Sequence, residues 1–318
     1  MSRKPKKNTG RSKSPRAAET PGRQGVIVAH LGVAVEVLFD DGERHQVRVK
    51  RSSGHVVGDS VLVRGEVLER RPRNTELRRR DGRGAVHLVG ANLDVLGVVV
   101  APRPLPPSGF VDRAIVAARA AGLQPFIIVN KEDLDGAAEL TAELRALYGA
   151  SLPVFSLSAK AGVGLDLLRQ FMAEGHRGAF VGTTGVGKSS LLNALCPDLG
   201  LAVGELCEAR GVGRHTTTVA TLHSLAGGGE LIDTPGFRDF GLVDIVVDEL
   251  IVHFPGFEQA MMVRCRFRDC RHRAEPGCAV TALVEKGALA EGRYQAYLDL
   301  LSEIENAQDE ARRREWKN

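Results

Sequence analysis

Gly182, Thr183, Thr184, Gly185, Val186, Gly187, Lys188 and Ser189 form the run GTTGVGKS, a spacing in which backbone amides can close around a phosphate chain. The glycines let the backbone approach the phosphates, Lys188 can reach the β and γ oxygens, and Ser189 offers a hydroxyl to magnesium. A plain glycine-rich turn is the bland reading. It is disfavoured by context, because GAFV before the run reads as a strand and SSLLNAL, opening on Ser190 after it, reads as a helix.

A phosphate loop does not choose a base, so the base must be read from elsewhere. Asn130, Lys131, Glu132 and Asp133 follow the apolar run PFIIV. A carboxylate at Asp133 can accept both the ring N–H and the amino group of guanine, whereas adenine leaves those hydrogen bonds unmade. Asn-Lys after a strand is also an ordinary loop, but Ser158, Ala159 and Lys160 end a second strand and can touch the base from its other side. Asp233 and Gly236 in DTPG suit a loop that holds magnesium through water and meets the γ-phosphate. Thr217, or its neighbours Thr216 and Thr218 in GRHTTT, could give magnesium a second hydroxyl, although a threonine run is also common strand material. The base motif precedes the phosphate loop, so the order is circularly permuted. Permutation keeps a fold when the joined ends lie close together, and here it sends the chain out beside the γ-phosphate sensor.

Cys265, Cys270, His272 and Cys278, spaced C-x4-C-x-H-x5-C, offer a complete set of thiolates and imidazole for one tetrahedral structural zinc. Buried reduced cysteines beside a surface histidine would be the alternative. Cys196 and Cys207 read as packing residues.

These motifs need several modules to hold them. The 318 residues are 43% hydrophobic and 26% charged, with a formal net charge of +4, which are globular values. No run is long and apolar enough for a membrane span, and no secretory leader is evident, so a cytoplasmic protein is expected. Residues 1–24 set many Lys and Arg against the single acid Glu19 and read as a disordered basic tail. GVIVAHLG, VAVEVLF, HQVRVK and SVLVRGEV predict a small β-barrel of oligonucleotide-binding type over 25–83, with an SH3-like barrel as the competing pattern. Its arginine-rich end, Arg70 to Arg83, reads either as a phosphate-binding stretch or as a charged solvent loop. Strands alternating with helices around 111–121, 137–147 and 165–173 predict an α/β nucleotide-binding domain over 84–242. A helical zinc-binding domain is expected over 243–318.

The permuted NKED, GTTGVGKSS, GRHTTT and DTPGFRDFGL, together with CRFRDCRHRAEPGC, resemble the ribosome small-subunit-dependent GTPase A family over roughly residues 25–300. The resemblance implies an oligonucleotide-binding barrel, a permuted GTPase and a zinc domain. It further implies GTP and GDP as substrate and product, with magnesium, and seating on the 30S subunit with 16S rRNA as the main surface; the chain reads as a monomer. Phe237 stands where many GTPases place a water-orienting glutamine, and the family's downstream histidine falls at Asp244 here. A carboxylate beside a γ-phosphate is repelled unless protonated or bridged by water. Asp244 and Thr217 are the catalytic candidates, with His215 and His253 as substitutes. The alternatives are a GTP-gated RNA-docking scaffold with negligible catalysis and, disfavoured by Asp133, a phosphate-loop ATPase.

Overall fold

The computed structural model describes residues 21–50, 52–80, 85–199, 220–233, 242–243 and 245–315. The N-terminal strands are β1 (Arg23–His30), β2 (Ala34–Phe39), β3 (Arg44–Arg48), β4 (Ser60–Arg64) and β5 (Val67–Arg70). All their pairings are antiparallel, in the order β3-β2-β1-β4-β5. Alternation puts Ile27, Val35, Val37, Phe39, Val47, Val61 and Val63 on one face, where they form a separate buried cluster, as a small β-barrel requires.

The arginine-rich stretch is not the solvent loop that one reading of the sequence expected. β6 (Glu76–Arg80) pairs antiparallel with β7 (Val86–Ala91), making a separate hairpin. Its entry is pinned by Arg73, whose Nε lies 2.6 Å from Oδ1 of Asp59, a carboxylate fully buried in the barrel loop. The hydrogen bond to Asp59, and a second to Glu76, raise the Arg73 pKa against the opposing effect of burial.

The α/β layer follows: β8 (Val95–Val100), α1 (Phe110–Ala120), β9 (Gln124–Val129), α2 (Ala137–Tyr148), β10 (Val154–Ser156), α3 (Leu165–Ala173), β11 (Arg177–Val181), α4 (Lys188–Leu195), β12 (Thr221–Ser224) and β13 (Glu230–Asp233). Strand order is β10-β9-β8-β11-β13-β12, parallel except for the last pair. Every residue of β8 is buried, the signature of a central parallel strand covered on both faces. At Ala29, β1 bridges to Thr221 of β12, so barrel and α/β layer share one 11-stranded sheet.

The C-terminal part is helical: α5 (Leu250–His253), α6 (Glu258–Met262), α7 (Ala279–Glu285) and α8 (Glu291–Glu315). Its core of Leu250, Phe254, Phe257, Val280, Tyr297 and Leu301 also takes in Val116 from α1, and Leu242 packs against both this core and that of the α/β layer. The same helix α1 is gripped by charge. Arg113 pairs with Glu303 of α8 through both guanidinium nitrogens, and Arg119 lies 3.5 Å from Glu258 of α6. No helix among the described residues is long and apolar enough to cross a membrane.

Candidate active site and metal centre

Because β9, β10, β11 and β13 run parallel, their C-terminal ends lie on one edge of the sheet. That edge receives Asn130 after β9, Ser158 after β10, Gly182 after β11 and Asp233 at the end of β13. Residues far apart in sequence therefore meet on one ledge, as expected for a ligand site in an open α/β sheet.

Backbone clearance shapes the phosphate loop. A Cβ on Gly182 would collide with the Val99 carbonyl, and Gly187, at φ 96, would drive one into the Asn130 amide. Only glycine fits at either point. Lys188, the first residue of α4, folds back so that Nζ donates to the carbonyls of Gly182 at 2.5 Å and Thr183 at 3.1 Å. Ser189 and Ser190 follow in the first turn of α4, with Ser189 exposed. Thr184 and Gly185 form the exposed tip, whereas Val186 is buried and Thr183 carries a buried hydroxyl that has no hydrogen-bond partner among the described residues. A cradle free of side chains, an orphaned hydroxyl and a lysine at its lip suit a bound polyphosphate.

The base motif is tied to this loop. Asn130, only 2% exposed, donates from Nδ2 to the Val186 carbonyl at 2.8 Å and accepts from the Ala159 amide at 3.0 Å. Lys131, in the left-handed region at φ 65, sends Nζ to the carbonyls of Gly185 at 2.6 Å and Arg103 at 2.7 Å. The Glu132 amide donates to Leu157 at 3.1 Å. Ser158 donates from Oγ to Asp133 at 2.5 Å, holding that carboxyl below the usual carboxylate range, with Lys160 and Lys131 adding smaller attractions. Asp133 is thereby kept as an acceptor pair, the state that guanine's two donors need. Burial pushes the Asp233 carboxyl above its ordinary value.

Thr216, Thr217, Thr218, His215, Gly236, Phe237, Asp244 and Cys207 lie outside the described residues, as does most of the basic tail. His253 ends α5, and its carbonyl accepts from Arg119 at 3.3 Å. Since α1 starts at the ligand edge and Arg119 is near its other end, His253 sits about a helix length, roughly 16 Å, from that edge.

The cysteine cluster assembles as its spacing predicts. One ligand atom each from Cys265, Cys270, His272 and Cys278 all lie within 4.8 Å of one another. His272 Nδ1 is 3.5 Å from the sulfurs of Cys265 and Cys270 and 3.3 Å from that of Cys278. Tetrahedral zinc asks for ligand atoms roughly 3.5 Å apart, so the group fits that ion. Burial lowers the His272 pKa, favouring the neutral imidazole that a metal needs, and pushes the Cys270 thiol up to about 12.

Supports around the cluster were not singled out from sequence. Tyr294 donates from its hydroxyl to the carbonyls of His272, at 2.7 Å, and Arg273. Glu275 accepts from the amides of Arg271 and Arg273, both at 2.8 Å. The one local signal in RHRAEPGC is that glutamate, an acid placed to cap a turn, whereas Tyr294, on a distant helix, carries none.

Comparison with known proteins agrees with this geometry. The family model described as RsgA GTPase matches residues 70–243. The small ribosomal subunit biogenesis GTPase RsgA of Pseudomonas aeruginosa (strain LESB58) is 40% identical over 294 residues, covering 89% of this chain and 86% of that protein. The protein of the same name from Azotobacter vinelandii is also 40% identical, with the same coverage of both chains. Among solved structures, YjeQ from Thermotoga maritima superposes with a TM-score of 0.72 at 30% identity, covering 89% of this chain and 98% of that one. YloQ, described as a circularly permuted GTPase, gives 0.68 at 27% identity, covering 92% and 99%.

Proposed function

The chain belongs to the RsgA GTPase family, and on that premise we propose that this GTP-hydrolysing protein serves late small-subunit assembly, docking on the 30S subunit chiefly through 16S rRNA. GTP holds it in the docking state and hydrolysis releases it. It acts as a cytoplasmic monomer, with modules dividing near residues 83 and 242.

The observation that carries this reading is the bond from Asn130 to the Val186 carbonyl, which makes base recognition and phosphate binding one unit despite their permuted order. Asn130, Lys131, Glu132 and Asp133, with Ser158, Ala159 and Lys160, hold guanine. Residues Gly182 to Ser190 hold the phosphates, and Asp233 and Gly236 meet magnesium and the γ-phosphate. Magnesium, bound by Ser189 and Thr217, would neutralise charge developing on the phosphate oxygens. Thr217 and Asp244 are assigned to the hydrolytic step. A single zinc on Cys265, Cys270, His272 and Cys278 stabilises the C-terminal module.

Phe237 cannot orient water, so turnover by the free protein is expected to be slow. GTP hydrolysis measured with and without purified 30S subunits tests the assignment. Stimulation by the subunit is expected, and an unchanged rate at saturating subunit would overturn it.

A further inference from the structure

The segment after β8, residues 101–109, is used by none of the sequence motifs, yet it lies against the tip of the phosphate loop. The Arg103 carbonyl and the Gly185 carbonyl converge on the same ammonium, Lys131 Nζ, at 2.7 and 2.6 Å. Next along the chain, Pro104 faces Gly185 directly: its Cδ would stand 3.5 Å from a Cβ placed there. The backbone of 103–104 is thus clamped to the loop that cradles the phosphates.

The cations at this ledge differ in how they are engaged. Lys131 is committed to two carbonyls, and Lys188 donates to Gly182 and Thr183. Arg103 is exposed, and among the described residues its guanidinium makes no ion pair or hydrogen bond. With its backbone held beside the phosphate loop, Arg103 can offer from there a planar guanidinium fork, the group suited to bidentate contact with a phosphate oxygen pair. Little ordering entropy remains to be lost apart from that of the side chain.

We propose that Arg103 is a nucleotide contact supplied in cis by the β8–α1 loop, its guanidinium engaging the phosphate chain of GDP and GTP held on residues 182–189. The assignment rests on the guanine-nucleotide reading above and adds a binding residue to it. Contact with phosphate, rather than with base or ribose, predicts a dependence on ligand charge.

The test compares guanosine, GDP and GTP binding to the full chain, to Arg103→Ala, to Arg103→Lys and to Asp133→Ala. Arg103→Ala keeps the backbone carbonyl that Lys131 uses, so the loop clamp is preserved. It should weaken GDP and GTP by about tenfold while leaving guanosine unchanged, with Arg103→Lys between the two. The salt dependence of GDP binding should also become shallower. A GDP-to-guanosine affinity ratio in Arg103→Ala equal to that of the unmodified chain would overturn the inference. If the unmodified chain bound neither GDP nor GTP, the nucleotide reading itself would fall. Intact binding that is lost only in Asp133→Ala would overturn the Arg103 assignment alone.

Discussion

Asn130 and Val186 stand 56 positions apart in the chain, yet the Asn130 amide donates to the Val186 carbonyl at 2.8 Å while its oxygen accepts from Ala159 at 3.0 Å. One buried side chain therefore joins the loops assigned to the base to the loop assigned to the phosphates. Through it, an error in either is felt by the other.

Asn130→Ala removes both bonds and leaves the Val186 carbonyl and Ala159 amide without these partners. The expected cost is about 1 to 3 kcal/mol of stability, with nucleotide binding lost at concentrations that saturate the parent. Urea unfolding and fluorescent-GDP titration measure the two effects. Asn130→Ala with parental GDP affinity would show that the bridge is not needed for binding.

Asp133→Asn should exchange specificity rather than abolish binding. An amide presents one acceptor and one donor, which opposes guanine's two donors but suits the carbonyl that xanthine carries in place of the amino group. GTP affinity should fall by about a hundredfold or more and xanthosine triphosphate binding should appear, as read by competition titration.

The same carboxylate sets a pH dependence. Its pKa is lowered, first by the Ser158 hydroxyl, so the ionised form survives through the ordinary carboxylate range and is lost only as pH falls through the depressed value. The Asp133 contribution to GDP affinity should therefore be retained at neutral pH and lost only as pH falls through the depressed value. In Ser158→Ala the acid limb should move to higher pH, and an unmoved limb would show that another group governs it.

Much of this site was legible in the sequence for a physical reason. Phosphate cradles and guanine acceptors impose residue types at fixed local spacing, and buried parallel strands such as Val95–Val100 read as unbroken apolar runs. The helix expected around 165–173 is found at Leu165–Ala173. What escaped depends on contacts between distant residues. The Ala29–Thr221 bridge that fuses barrel and α/β sheet has no local pattern. Arg78 to Arg80 read as a phosphate-binding stretch or a solvent loop because, among the described side chains of that strand, only Leu77 is fully buried, and the hairpin entry is fixed instead by Arg73 meeting Asp59. The clamp between Arg103 and Lys131 is likewise invisible until the sheet brings two strand ends together.

Metal removal should act on the C-terminal module first. With the Cys270 thiol at about 12 and the imidazole of His272 held neutral by burial, zinc must displace thiol protons, so its affinity should rise with pH and binding should release protons. Chelation or Cys278→Ser should abolish the single zinc equivalent measured by atomic absorption. It should also loosen the core around Val280 and Tyr297, seen as lost amide protection there while Val95 to Val100 stay protected.

Arg293 stitches this module to the nucleotide-binding layer. Its Nη1 donates to the Leu147 carbonyl at 2.7 Å, its guanidinium lies 4.4 Å from the centre of the Tyr148 ring, and Nε is 3.8 Å from buried Asp112. Arg293→Ala leaves the buried Asp112 carboxylate with the Tyr148 hydroxyl, 2.9 Å away, but without its cation, and should cost on the order of 3 kcal/mol in chemical denaturation. Arg293→Lys should recover only part of it, because an ammonium lacks the flat guanidinium that lies over the Tyr148 ring while its nitrogens meet Leu147 and Asp112.

On the proposed function, nucleotide state governs residence on the small subunit. Co-sedimentation of the full chain with purified 30S particles, in parallel with a non-hydrolysable GTP analogue, GTP and GDP, tests it most directly. Stable retention with the analogue, release with GDP, and time-dependent release with GTP are predicted. Equal retention in all three states would contradict the account.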